Sequence, residues 1–470
     1  MKKQRRRIYA ALLCSSMVLS LVSMPVSAAE TGQLTNPPTS TEGPGSPESA
    51  SGNEAAAVLN GLYAALPVAN GVKEVATADE LTDALADSSI SIITLKDDVE
   101  ISSTLTVNRT VTLDLNGNVL KMTGSDSVIK VEADGDLTIQ DRNTTTQHTF
   151  NPHCKYQFWY IDMWELDKDG SEIVSGGVIT GGGGDQNNGG GVLVAGGTLT
   201  MAGGSIVGCS ARSRGGGVYL GKDSDTGKSG TFIMTSGSII GCAAQLGGGV
   251  YVTSGCTFVM ATSSNIHNCI ANNDGGGVIN HGTFQMRGGT ISTCTTVAFG
   301  GGGVCNNGTF IMSDGMIKGC TSPDGQYASG GGVRNSNQFT MTGGMIGDPD
   351  NENDASHVYN TSSQETTLTI SGNAKIYTDI TNVGILNADG GEIAGTMTND
   401  TNEYGSGTIT GSEGAAGSTE FQGKVTNTGT IRKGTFTDEV INESSGAING
   451  GTFTGTITNN DGTVSGGDFS

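Results

Sequence analysis

Hydrophobic residues two apart, flanked by Thr and Ser, recur in a fixed order through residues 175–347. Each copy opens on glycines and a valine, and that valine falls at 192, 218, 250, 278, 304 and 333, giving spacings of 26, 32, 28, 26 and 29 residues. Three strand-like runs fit each copy, typified by Val218-Tyr219-Leu220, Thr231-Phe232-Ile233-Met234 and Ser238-Ile239-Ile240. A period of two gives each run one buried and one wet face. Three short strands per copy, rising ~3.3 Å per residue and stacking at ~4.8 Å, predict a parallel β-helix, an all-β solenoid in a single chain. Helical repeats of similar period need helix formers that this Gly- and Thr-rich text lacks. Collagen needs Gly at every third position.

Stacking turns the repeat into columns. Leu199 and Met201, Phe232 and Met234, Phe258 and Met260, Phe284 and Met286, and Phe310 and Met312 share a face and must point inward, with Met filling gaps rather than binding metal. A second column is Cys209, Cys242, Cys269, Cys294 and Cys320, each three residues after an Ile. Stacked Cβ vectors match a disulfide dihedral poorly, so the column reads as small buried thiols filling a corner. A third is Asn280, Asn306, Asn335 and Asn360, joined by Asn427, Asn442 and Asn459. An amide there can donate to one neighbour and accept from the other. The glycines mark a corner that needs positive φ or close backbone approach.

The flanks follow other rules. Thr77 with Glu80 three residues on is a capping box, predicting a short helix with Leu81 and Leu85 on one face. Such a helix would cap the first coils, so residues 75–142 read as a lid followed by short alternating strands. Residues 143–174 interrupt the pattern with an aromatic-rich insertion holding Tyr156, Trp159, Tyr160 and Trp164. Residues 348–470 return to repeats about half as long; the pattern stops in mid-repeat, so this part is either truncated or left with an open last coil. Residues 1–29 have the basic, apolar and small-residue regions of a secretory signal. Residues 30–74, rich in Pro, Ser, Gly and Glu near their start, read as a disordered linker.

Charge narrows the partners. The chain carries a formal charge of −22, and the signal holds five basic residues and no acid, which leaves −27 after its removal. That excess repels nucleic acid and anionic lipid. No later segment is apolar for long enough to span a membrane. Of the nine Cys, eight remain after the signal. The chain is expected to be secreted or extracellular, displayed on a cell wall, and monomeric.

The helix-then-strands start, the three-strand coils and the Asn column resemble the right-handed parallel β-helix (pectate-lyase-like) superfamily. The Gly-Gly-Gly-Val repeats resemble those of Gram-positive secreted β-helix proteins and, distantly, chlamydial polymorphic outer-membrane protein repeats. The resemblance spans about residues 75–470 and implies the fold; function varies within it, since the superfamily holds lyases, hydrolases and adhesins.

A lyase of this kind would need carboxylates gathered around calcium with an Arg or Lys base nearby. The acids Asp185, Asp223, Asp225, Asp274, Asp314 and Asp324 and the bases Arg212, Arg214, Arg287, Lys318 and Arg334 form no such group along the columns. No catalytic residue, metal ligand or cofactor is therefore assigned, calcium entering only with the lyase alternative. A binder asks for less. Tyr219 and Tyr251 occupy the outward position on adjacent coils and are expected to stack as an exposed pair. With Tyr156, Trp159, Tyr160 and Trp164 they are the candidate ligand-binding residues, because aromatic faces suit sugar rings; the competing reading packs the insertion's aromatics on the coil wall. The leading function is an adhesin or glycan-binding scaffold whose partner is an extracellular glycan or a host or neighbouring-cell surface. The alternatives are a carbohydrate-active enzyme and an inert stalk.

Overall fold

The computed structural model describes residues 71–470 apart from 157–160, 184–187, 324–329, 352–353, 362–365, 403–404, 413 and 470, and leaves the side chains of residues 154–161 aside. The signal at 1–29 and nearly all of the linker lie outside the described residues. The first strand, Val72–Val75, begins inside the segment read as linker and pairs in parallel with Ile92–Leu95.

Helix α1 (Ala78–Ala86) forms where the capping box places it: the Glu80 N–H donates to Thr77 Oγ1 at 3.3 Å, and the Ala76 N–H donates to Glu80 Oε2 at 2.8 Å. Its last carbonyls are satisfied from the side, since Arg109 donates to the carbonyls of Ala84 and Leu85, each at 2.9 Å. Leu81 and Ala84 are buried, and Leu85 packs against the core, so the helix covers the apolar end of the first coils.

The coils that follow form a parallel β-helix. One sheet of 14 parallel strands runs in coil order from Leu105–Val107 to Ile457–Asn459, and a second of 24 strands carries the other two sides. In the long coils those two sides are one bent strand, as in Thr198–Val207 and Thr231–Ile240. Gly204 at φ 72° and Gly237 at φ 93° take the bend, a conformation costly for any residue with a Cβ. Register is held by identical residues: Phe232, Phe258, Phe284, Phe310 and Phe339 pair coil to coil. Their rings stack with centroids 4.8, 4.8, 4.8 and 4.4 Å apart, close to the ~4.8 Å spacing of neighbouring strands. A second stack, Phe421, Phe436 and Phe453, repeats this in the shorter coils at 4.6 and 4.8 Å.

The corner glycines divide the work. The first of each triplet has positive φ, for example Gly215 at 65° and Gly247 at 67°. The others are squeezed between coils: a Cβ on Gly216 would lie 2.5 Å from the Ala243 carbonyl oxygen, and one on Gly217 2.7 Å from that of Gly249. Between the Cys and the glycines the long coils add a short fourth side that the three-run pattern did not show: Ser210–Arg214, Ala243–Leu246, Ile270–Asp274 and Thr295–Thr296. It packs inward through small residues, Ala211, Ala244, Ala271 and Thr296.

The polar columns are internal. Asn280, Asn306, Asn335, Asn360, Asn382, Asn399, Asn427 and Asn442 each donate through Nδ2 to the next Asn Oδ1 at 2.7–2.8 Å, ending on Asn459. Asn382 and Asn399 were missed in the sequence, and they make the ladder continuous. Cys209, Cys242, Cys269, Cys294 and Cys320 are buried free thiols. Each Sγ–H donates to the carbonyl of an Ile in the preceding coil, at 3.9, 3.7, 3.7, 3.7 and 3.8 Å. Burial pushes the Cys209 thiol up to about 12 and raises those of Cys242 and Cys294.

Candidate functional site

The largest antiparallel departure from the solenoid among the described residues is the insertion. It folds as an antiparallel sheet in which Gln147–Tyr156 lies between Ile161–Leu166 and Glu172–Ser175. Its Phe150, Trp164 and Val174 form a small core with Val119, Val178, Val207 and Ile240 of the coil wall. Trp164 is the anchor. Its backbone N–H donates to the Gly241 carbonyl at 3.0 Å, and its ring lies 6.3 Å from Phe150 and, edge-on, 6.3 Å from His267. Two corner glycines make room for it. A Cβ on Gly208 would fall 1.9 Å from the Trp164 carbonyl oxygen, and one on Gly241 2.1 Å from its indole ring. The next two coils carry Asn268 and Thr293 at this corner, with positive φ and side chains present.

Trp164 is therefore corrected from ligand-binding to anchoring: it is only 7% exposed, and its face is spent on the wall. Trp159 and Tyr160 lie outside the described residues; Tyr156 ends the first strand of the insertion, with its side chain outside them too. The Tyr219–Tyr251 pair does stack, with centroids 5.5 Å apart and planes 22° from parallel. It is not an exposed pair. Tyr251 is 7% exposed, covered by the Arg214 guanidinium at 5.3 Å and the His281 ring at 5.5 Å. It continues into a patch with Ile279 and Cys305 buried under partly buried Leu246. Residues of the unforeseen fourth side, Arg214 and Leu246, thus lie over this outer face. Burial raises both tyrosine hydroxyls, and it pushes the Cys305 thiol up to about 12. Asp274 and Arg334 make an ion pair at 4.0 Å in the same patch, and burial raises the Asp274 carboxyl against the pull of Arg334.

What the insertion leaves open is a cleft. Between its second strand and the coil wall is a space of about 520 Å³, lined by Met163, Glu165 and Leu166 on one side and by Lys121–Ser125, Thr180–Gly183, Gly208 and Ser210 on the other. Its floor is bare backbone: a Cβ on Gly183 would lie 2.1 Å from the Ser210 carbonyl oxygen, and Gly181 has φ 76°. The polar groups are uneven. Lys121 Nζ is held by Glu100 Oε1 at 2.9 Å, whereas Glu165 is exposed and without a partner among the described residues. Thr123, Ser125 and Ser210 add hydroxyls, and Met163 and Leu166 add apolar surface. None of these lining residues was among the candidate ligand-binding residues of the sequence. The available signal was the glycine run that starts at Gly181, outside the repeated triplets and directly after the insertion.

Among the described residues no three His, Cys, Asp or Glu side chains converge in a way that could hold a metal ion, and no helix is long and apolar enough to cross a membrane. Asp223 stays within its own turn, accepting from the Thr226 N–H at 2.7 Å. Asp314 likewise accepts from the Gly315 N–H at 2.8 Å.

Residues 72–181 match the family model described as "Putative pectate lyase-like adhesive domain". That stretch holds the capping helix, the first coils, the whole insertion and most of the cleft lining. No curated protein matches the chain. A solved structure titled "L. reuteri 53608 SRRP" is similar at 13% identity, covering 85% of this chain and 100% of that one with a TM-score of 0.18. The chain is a parallel β-helix, and its resemblance to the pectate lyase-like adhesive domain lies over the coils that carry the insertion.

Proposed function

We propose that the protein is a cell-surface or extracellular adhesin that binds a glycan in the cleft beneath the insertion. The observation that carries this reading is the way Trp164 is seated on Gly208 and Gly241. The insertion is fixed to the wall by packing, yet it stands off Lys121–Ser125 far enough to leave a cleft of about 520 Å³. A fixed overhang above a backbone floor, with hydroxyls, one unpaired carboxylate and two apolar side chains, suits a ligand rich in hydroxyl groups. The family match supports adhesion, and it falls on the same residues.

The test is binding of the full chain to an array of immobilised glycans, wild type against Glu165→Arg. Glu165 is exposed, so the substitution leaves the fold alone and fills the cleft with a longer side chain of opposite charge. Loss of about tenfold or more in affinity is expected, the scale of one or two charge-assisted hydrogen bonds. Unchanged binding would place the site elsewhere.

A further inference from the structure

A second depression adjoins the cleft around the same corner. It encloses about 280 Å³ on the outer face of the 14-stranded sheet and is lined by Thr104, Thr106, Asp126, Ser127, Lys130, Asn188 and Leu193. The two spaces are separated by one turn of chain: Ser125 lines the first and Asp126 the second. That turn is pinned in place, because the Gly183 N–H donates to the Asp126 carbonyl at 3.0 Å.

Their chemistry repeats. In each, a lysine is neutralised by a glutamate at 2.9 Å: Lys121 by Glu100 in the cleft and Lys130 by Glu132 in the depression. In each, a carboxylate has no partner among the described residues, Glu165 in one and Asp126 in the other. Each also has threonine or serine hydroxyls and an aliphatic surface, with Leu193 serving in the second. The depression adds the Asn188 amide, whose Oδ1 is buried and finds no donor among the described residues. Such an acceptor costs ~1–3 kcal/mol until a donor reaches it.

We infer that the two spaces form one track for a linear, uncharged oligosaccharide, which runs from beneath the insertion over the Ser125–Asp126 ridge to the outer face of the 14-stranded sheet. This rests on the adhesin reading and adds to it a ligand charge, a ligand length and a second subsite. Both lysines are already paired, so among the described lining residues no cation is free to meet an acidic sugar, and the two unpaired carboxylates repel one. The same carboxylates accept hydroxyl hydrogen bonds, which are stronger to a charged acceptor. A chain that fills both spaces gains avidity through connection, since its second contact is intramolecular.

The experiment uses the full chain and an array of neutral and uronic-acid oligosaccharides of graded length, followed by calorimetry on the best neutral series. Affinity should rise with length until both spaces are filled and then level off, and acidic oligosaccharides should bind more weakly than neutral ones of equal length. The double variant Thr106→Val/Asp126→Ala should cost the longer ligands about tenfold and leave the shortest unaffected. Glu165→Arg should weaken all of them. Length-independent affinity, a preference for acidic oligosaccharides, or a double variant that binds long ligands like wild type would each overturn the track. In those cases, loss of binding by Glu165→Arg would still leave the first cleft standing. Absence of binding by the wild type to every oligosaccharide on the array would overturn both readings.

Discussion

Replacing Asn335 by Ala tests the internal ladder at a well-connected rung. Asn335 Nδ2 donates to Asn360 Oδ1 at 2.8 Å and to the Thr367 carbonyl at 2.9 Å, while its Oδ1 accepts from Asn306 Nδ2 at 2.8 Å. Truncation leaves neighbours in two coils with unequal losses. Asn306 Nδ2 keeps the Gln338 carbonyl at 2.9 Å, so it remains satisfied. Asn360 Oδ1 loses the donor that the structure gives it, and a buried acceptor without a partner costs ~1–3 kcal/mol. The bonds to the Thr367 carbonyl and from Asn306 contribute ~0.5–1.5 kcal/mol each, and the longer contacts with Asn337 at 3.1 and 3.4 Å add little. The total is about 4 kcal/mol. Asn459 is the internal control: it ends the ladder and is exposed, so Asn459→Ala should cost under about 1 kcal/mol. Urea unfolding by circular dichroism reads both, with the midpoint taken alongside the slope because a solenoid can unfold in parts. Equal, small shifts for the two variants would refute the reasoning, because the ladder would then be an ornament of register rather than a source of stability.

Three other outcomes follow from the same geometry. Trp164→Ala removes the anchor of the insertion, and about 3–5 kcal/mol is at stake for a buried aromatic; amide exchange in Gln147–Tyr156 should accelerate while the Phe stack stays protected, and Gly241→Ala should do the same because its Cβ would meet the Trp164 ring. Burial lowers the pKa of His267 and of His281, with Arg214 also lowering the latter, so the unfolded chain takes up protons that the folded one refuses as pH falls below ~6.5. Stability should therefore rise with pH through this range and be lost below it, and His267→Gln should flatten part of that slope in denaturation curves taken from acid to neutral pH. The column thiols should resist a maleimide reagent in the folded protein and react once urea unfolds it; fast labelling of Cys242 or Cys269 without unfolding would contradict their burial.

The fold was legible because a solenoid writes each packing demand once per coil. Phe232, Phe258 and Phe284 recur because each ring needs the next, and the glycines recur because one corner needs positive φ and the rest need close approach. Asn280, Asn306 and Asn335 stood out beside their glycine triplets. Asn382 and Asn399 do the same job but follow Ile380-Thr381 and Met397-Thr398, which lack the valine that stands two residues before Asn360, Asn427 and Asn442. The site was less legible because exposure is not set by alternation alone. Tyr251 occupies an outward position yet is covered by Arg214 and His281, and Trp164 lies in an insertion outside the repeated pattern yet is buried on the wall. In both cases the covering group comes from another part of the chain, which a one-dimensional pattern does not contain. The cleft depends on how far the overhang stands from the wall, a distance that no residue spacing encodes.

Hydrogen exchange on the full chain, free and saturated with the tightest-binding array glycan, tests most directly whether recognition lies under the insertion rather than on the repeated faces. The account predicts new protection in residues 121–126, 163–166, 180–183 and 208–210, with the Phe and Asn columns unchanged. Protection along the outer side of the long strands, Thr231–Ile240 through Thr309–Lys318, with none at the cleft, would contradict it.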